Sequence, residues 1–244
     1  MSSSQSLAAS PRYRQIIDHL RGDIADGTLP AHAALPSERV IAEAHNVSRM
    51  TARRALEALE AEGLAYAENR RGRFVSPPRL KYDISRTISL AAHAQSEGMR
   101  LNIEVLDSRE VAADARIAAL LQVQKGEPLF EYTRLFTSDG HAIFIETESI
   151  IARRFPKMLE QDLQQSTTKL LEQAYNTHAR TGDITIRMRA VHADEAECLG
   201  IAANHPGIEL EQIISDESGM PFCVGNQIWR GELAAFSARA ILGH

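Results

Sequence analysis

In the stretch NVSRMTARRALEALEAEGL, residues 46–64, Arg49 and Arg53 stand four apart at the head of an apolar pattern made by Ala52, Ala55, Leu56 and Leu59. Residues four apart share one face of a helix, so the two guanidiniums stack together, away from the apolar stripe. A guanidinium is a planar fork of donors that fits phosphate oxygens and the O6/N7 edge of guanine. Ser48 is placed to cap the helix N-terminus. The chemistry on offer is recognition of polyanions and base edges rather than bond making. On a helix with no context, the same arginines would be solvated surface.

A second acid-free basic window, RRGR at 70–73, sets Arg70, Arg71 and Arg73 around Gly72, between short apolar segments at 64–67 and 74–76. Asn69 and Gly72 are turn residues, so the window reads as the tip of a hairpin. Arg39, in LPSER, has two readings: a contact to phosphate or a groove edge, and an intramolecular salt bridge.

Three helices must position these groups. Tyr13, Ile16, Ile17, Leu20 and Ile24 fall on one stripe at helical spacing, and Gly27 stops the run. LPSERVIAEAHN opens a short second helix with Pro36 and Ser37, and Val47-Ser48 begins the third, which Gly63 ends. Helix, helix, turn, helix, hairpin is a winged helix-turn-helix, with Arg70, Arg71 and Arg73 at the wing tip. Pro77-Pro78 then mark a boundary. The expected division is a loose Ser-rich tail at 1–10, a winged helix-turn-helix at 11–77, a linker at 78–86 and a second domain at 87–244.

Composition agrees with two folded units: 244 residues, 44% hydrophobic and 24% charged. The net charge of −5 hides an asymmetry. Residues 11–78 carry ten Arg, no Lys and nine acids, hence +1, and 79–244 carry 17 basic and 23 acidic residues, hence −6. Six of those ten arginines lie in the two windows above, which makes them candidate phosphate and base contacts. Cys198 and Cys223 form no CxxC pair, so reduced thiols in the cytoplasm are expected. The N-terminus lacks the pattern of a signal peptide, and no stretch has the apolar length to span a bilayer. Nine histidines make no HExxH or Cys/His set, and no nucleophile or acid/base constellation stands out, so no metal, no cofactor and no enzyme are expected.

The second region contains a weak internal repeat. VAADARIAALLQVQKGEPLFEYTRLFTSDGHAIFIETE, from Val111, and VHADEAECLGIAANHPGIELEQIISDESGMPFCVGNQ, from Val191, each read as a short helix, a glycine, a strand, an Xaa-Gly turn and a second strand. The offset of about 80 residues is too long for a solenoid and suggests two related halves of one α+β domain with a mainly antiparallel sheet and a ligand cleft between halves. The segment between the copies, RRFPKMLEQDLQQSTTKLLEQAYN, reads as a helical connection.

YRQIIDHLRGDIADGTLP, LPSER, VSRMTARRALEALEAEGL and GRFV, in this order and spacing, resemble the DNA-binding domain of GntR-family bacterial transcription regulators over residues 12–76. TISLAAHAQSEG (87–98), TRLFTSDGHAIFIETE (133–148) and GMPFCVGNQIWRGE (219–232) resemble the UTRA effector domain of the HutC subgroup, whose fold is like that of chorismate lyase. The resemblance implies a homodimer bound to double-stranded operator DNA, released when a small anionic metabolite binds. That effector would be a phosphonate or phosphate ester, or urocanate or another small acid. It implies DNA contacts from Arg39, Ser48, Arg49, Thr51, Arg53, Arg70, Arg71, Gly72 and Arg73. It also implies effector contacts from Ser89, Arg134, Glu146, Ser166, Thr168 and Cys223; Arg134 and Glu146 can equally face each other as a structural cross-strand pair. Departures from the pattern are His32 where Gly is usual, Arg70 and Arg73 where the wing has Gly and Thr, Phe136 in place of a second arginine, and Cys223 in place of a second acid.

Overall fold

The apolar stripes of the first 61 residues become helices: α1 (Arg12–Ala25) buries Ile16, Ile17 and Leu20, α2 (Glu38–His45) buries Ile41 and Ala42, and α3 (Arg49–Ala61) buries Ala52, Ala55, Leu56 and Leu59. The computed structural model describes residues 11–85 and 101–239, which divide into two units at Arg79/Leu80. The expected tail at 1–10, Ser89 and the rest of the 87–98 segment lie outside the described residues.

In the first unit, Ser37 caps α2 by accepting from the Val40 N–H, and Asn46 closes it at φ 48°. That left-handed residue, one that Asn tolerates, makes the sharp turn into α3. A hairpin follows, β1 (Ala65–Glu68) against β2 (Gly72–Val75), in register Glu68↔Gly72. Ala52, Ala55, Leu56 and Leu59 are all at most 1% exposed, and each leucine so buried contributes about 1.5–3 kcal/mol.

The second unit is the duplicated element made visible. The first half is β4 (Asn102–Ala112), α4 (Ala115–Leu121), β5 (Pro128–Ser138) and β6 (His141–Ile151). After α5 (Thr167–Tyr175), the second is β7 (Ala179–Ala190), α6 (Ala193–Leu199), β8 (Pro206–Asp216) and β9 (Pro221–Arg230). The antiparallel sheet runs β4-β5-β6-β9-β8-β7, so the halves meet at β6 and β9. Each half's helix crosses to the other half: α4 packs on β9 and α6 on β6. The opposite face is covered by α5 and the loop before it, with Tyr132, Ile150, Phe155, Leu171, Phe222 and Cys223 among its core. Beside them Phe136, Phe144 and Trp229 stack with ring centroids 4.1 and 4.0 Å apart.

Two expectations are corrected. The stretch 78–86 is not simply a linker: β3 (Leu80–Asp83) pairs in parallel with β10 (Ala234–Ser237). Its alternation buries Leu80 and Tyr82, and Tyr82 stacks on Trp229, so burial fixes the segment to the second unit. The connection after β6 is mostly not α-helical, because two 3-10 turns (Ala152–Arg154 and Met158–Glu160) flank Pro156 and α5 starts only at the Ser166 cap.

Candidate functional site

The first site grows from the α2–α3 turn. Ser48 accepts from the Thr51 N–H at 3.1 Å and shares a 2.9 Å hydrogen bond with the Thr51 hydroxyl, which fixes the first turn of α3. The buried stripe then leaves Arg49 and Arg53 exposed on the other side. A cleft of about 420 Å³ brings Ser37, Arg39, Arg49, Arg71, Gly72 and Arg73 together, joining residues of both helices and the wing.

Within this surface the arginines differ in availability. Arg39 pairs with Glu43 at 2.9 Å and Arg53 with Glu57 at 2.8 Å, so both form the intramolecular salt bridge. Both are helical i,i+4 pairs with more than half of each arginine side chain exposed, worth about 0.3–0.5 kcal/mol, so exchange for a phosphate costs little. Arg70 stands at the wing tip in left-handed backbone (φ 60°), and Gly72 at φ 112° takes a conformation that side chains disfavour. Arg71 pairs with Glu68 and stays 63% exposed.

Arg73 departs from the expected wing-tip role. It is two residues past the tip, opposite Ala67, and only 22% exposed; its guanidinium pairs with Glu60 of α3 and with Glu38 of α2 at 3.1 Å. It braces the wing against both helices. His32 accounts for the usual glycine at its position: its φ is 64°, and the ring is held by Tyr66 OH at 2.8 Å. Sequence reasoning missed Met50, 69% exposed between the arginines in the first turn of α3. An apolar side chain there is suited to a thymine methyl.

The second site is built on the β5–β6 hairpin and β9. Arg134 lies directly opposite Glu146, which lies opposite Gln227. Arg134 donates from one terminal nitrogen to the carbonyls of Leu163 and Gln165 (3.0 and 2.8 Å) and from the other to Glu146 (2.5 Å), Glu148 (2.9 Å) and the Thr167 hydroxyl (3.0 Å). Tyr132 OH donates to Glu148 at 2.6 Å, Gln227 donates to Glu146 at 2.7 Å, and the Trp229 indole N–H donates to Gln227 at 2.9 Å. The result is one buried network under the N-terminal end of α5.

Electrostatics follow from two carboxylates around one guanidinium. Burial opposes the charge on Arg134, but Glu146 and Glu148 hold its pKa above the ordinary value. Burial, then Glu148, push the Glu146 carboxyl above its ordinary value against the pull of Arg134 and Gln227.

The expected effector residues fall in or beside this network. Arg134, 3% exposed, has both terminal nitrogens engaged and pairs with Glu146 across the two strands, and among the described residues its Nε–H has no partner. Cys223 is fully buried, its thiol 3.7 Å from Glu148, and burial raises its pKa well above the usual thiol value, so it is a buried donor and not a thiolate. Ser166 caps α5 and bonds the Thr168 hydroxyl at 3.0 Å, whereas Thr167, between them, is the residue aimed into the network. Phe136 belongs to the aromatic stack. Tyr132, Glu148, Thr167 and Gln227 were missed, although Tyr132 and Glu148 lie two residues from Arg134 and Glu146 and so on the same sheet face.

Comparison with known proteins agrees with both halves. Residues 12–75 match the family described as bacterial regulatory proteins, gntR family, and residues 96–234 match the UTRA domain. The chain is 32% identical over 216 residues to an uncharacterized HTH-type transcriptional regulator of Rhizobium meliloti, covering 86% of each chain. It is 27% identical over 226 residues to the HTH-type transcriptional repressor NagR of Bacillus subtilis, covering 93% of each. The crystal structure of PhnF from Mycobacterium smegmatis matches in fold with a TM-score of 0.65 at 23% identity, over 96% of this chain and 100% of that one. Among the described residues no helix is long and apolar enough to cross a membrane. A helix-turn-helix with its arginines outward, followed by a duplicated antiparallel domain, therefore places the chain in the gntR family of bacterial transcription regulators, with a UTRA domain as its second half.

Proposed function

We propose that this chain is a metabolite-responsive repressor that binds a pseudo-palindromic operator as a cytoplasmic homodimer and lets go when a small anionic effector enters the UTRA domain. The observation carrying the DNA half is the two-sided α3: Ala52, Ala55, Leu56 and Leu59 lock one face into the core, and Arg49, Met50 and Arg53 stand exposed on the other. A helix so oriented offers its first turns to the major groove. Arg39, Ser48, Thr51, Arg70, Arg71 and Gly72 supply phosphate contacts that set the register, and Arg73 supports the wing.

In the effector half, Ser89 and Ser166 are the proposed anion contacts, and Arg134, Glu146 and Cys223 form the floor that shapes the site. Release needs only that the effector prefer the non-DNA-binding arrangement; a hundredfold preference supplies about 2.7 kcal/mol. Because β3 is bound into the UTRA domain, the lever is the short 77–79 stretch before it. A phosphonate or phosphate ester and a small carboxylic acid such as urocanate both fit this chemistry.

Selection of a random duplex library by the full chain tests the DNA reading. Enrichment of an inverted repeat supports the repressor, whereas a shallow dependence on sequence supports an architectural role instead. A thermal-shift screen of phosphonates, sugar phosphates and small acids tests the effector, since a ligand binding the native state raises its apparent stability.

A further inference from the structure

Among the described residues the UTRA sheet ends in two strands with one unpaired backbone edge each, β4 and β7. Open edges are templates for pairing with another chain, and proteins blunt the ones that must stay single. β4 is blunted: its register with β5 shifts between Val105 and Asp107, and its exposed positions include Glu104, Asp107, Arg109 and Glu110. β7 also carries a register shift, between Ala179 and Thr181, and exposed charges at Asp183 and Arg187, but from Thr181 to Ala190 it pairs with β8 without a break and exposes two large apolar side chains, Ile186 (41%) and Met188 (65%), on the face that continues Leu210 and Ile208, where β4 exposes Leu106 (39%).

We propose that β7 is the edge along which two copies of this chain join, antiparallel about a two-fold axis through Thr185, merging two sheets into one. The inference rests on the homodimer reading above and names its surface. A side-by-side antiparallel pair keeps side chains of like parity opposite each other, so few axes are possible. An axis through Arg187 sets that residue against itself. One through Ile186 sets Asp183 against Arg189, which Glu195 and Glu209 already hold and which is 21% exposed. An axis through Thr185 sets Ile184 against Ile186 and Asp183 against Arg187 of the second copy. Asp183 is exposed and makes no ion pair among the described residues, and Arg187, though bonded to Glu209 and Glu211, keeps 49% of its side chain exposed. Of these three axes, charge and apolar complementarity favour the one through Thr185.

Sedimentation equilibrium and disulfide trapping of the full chain test this. Thr185→Cys, in a Cys198→Ser background, puts a thiol on the axis, where opposed Cα atoms lie about 4.5–5.5 Å apart, within disulfide reach. The variant is expected to oxidise to a covalent dimer, whereas Ser108→Cys on β4 in the same background stays single. Ile186→Glu is expected to weaken the dimer at least about tenfold, as a charge set among apolar cross-strand pairs, with an unchanged far-UV spectrum. A wild-type dimer that survives Ile186→Glu intact and traps at position 108 but not 185 overturns the β7 edge while leaving the homodimer standing. A wild-type chain that sediments as a monomer at every concentration removes both.

Discussion

Arg134 and Glu146 face each other directly across the β5–β6 hairpin, 2.5 Å apart and only 3% and 5% exposed. With Glu148 on the same guanidinium, this is a buried triad whose members cannot be removed singly at low cost. Arg134→Met leaves two buried carboxylates without their cation, and the expected loss is about 3–5 kcal/mol. Urea unfolding followed by the fluorescence of Trp229, the only tryptophan, which is bonded into the network through Gln227, checks it. A loss below about 1 kcal/mol contradicts the triad's structural role.

The same network gives the stability a pH dependence of known sign. Glu146 has a raised folded-state value, so its contribution is present below the ordinary carboxylate range and is lost as pH rises through the raised value. Glu232 is opposite: burial opposes its ionisation, but His205 and Arg230 draw it down to about 2, so its contribution is present above the ordinary range and is lost as pH falls toward that value. Urea midpoints across pH are expected to fall less on the alkaline side in Glu146→Gln and less on the acid side in Glu232→Gln than in the wild type. Slopes identical to wild type in both variants contradict the assignment.

His32 trades backbone strain for a hydrogen bond. His32→Ala loses the Tyr66 contact and keeps φ at 64°, for an expected cost of about 1–2 kcal/mol. His32→Gly loses the contact but relieves the strain, so its melting temperature should lie above that of His32→Ala. The reverse order means that the left-handed backbone is not what the position demands.

The wing arginines should separate into brace and contact. Arg73→Ala removes the ties to Glu60 and Glu38 and is expected to cost about 1.5–3 kcal/mol of stability in the first unit. Arg70→Ala should leave unfolding unchanged while lowering the salt dependence of DNA binding by about one ion. If Arg73→Ala unfolds like wild type and only changes the salt slope, Arg73 is a phosphate contact after all.

How much of this was readable beforehand follows from where side chains face. The three helices were, because Ile16, Ile17, Leu20 and Leu56 repeat at helical spacing. The duplication was seen, and its observed offset, 78 residues from Ala115 to Ala193 and from Pro128 to Pro206, agrees with the expected value. The copies nevertheless began too late, since β4 and β7 are edge strands exposed on both faces and show no clean alternation. The pairing of β3 with β10 joins residues about 150 positions apart, which no local pattern encodes. At STT, Thr167 rather than its neighbours meets Arg134, because Ser166 is spent on capping α5 and on the Thr168 hydroxyl.

The central claim is that α3 reads DNA with the face opposite its buried stripe. Anisotropy titration of the full chain against its selected duplex, at fixed salt, tests it through Arg49→Ala. The expected result is a loss of about 1–3 kcal/mol that falls on the selected sequence and spares a scrambled duplex, with the fold intact. Unchanged affinity for the selected duplex, or an equal loss on both, contradicts it.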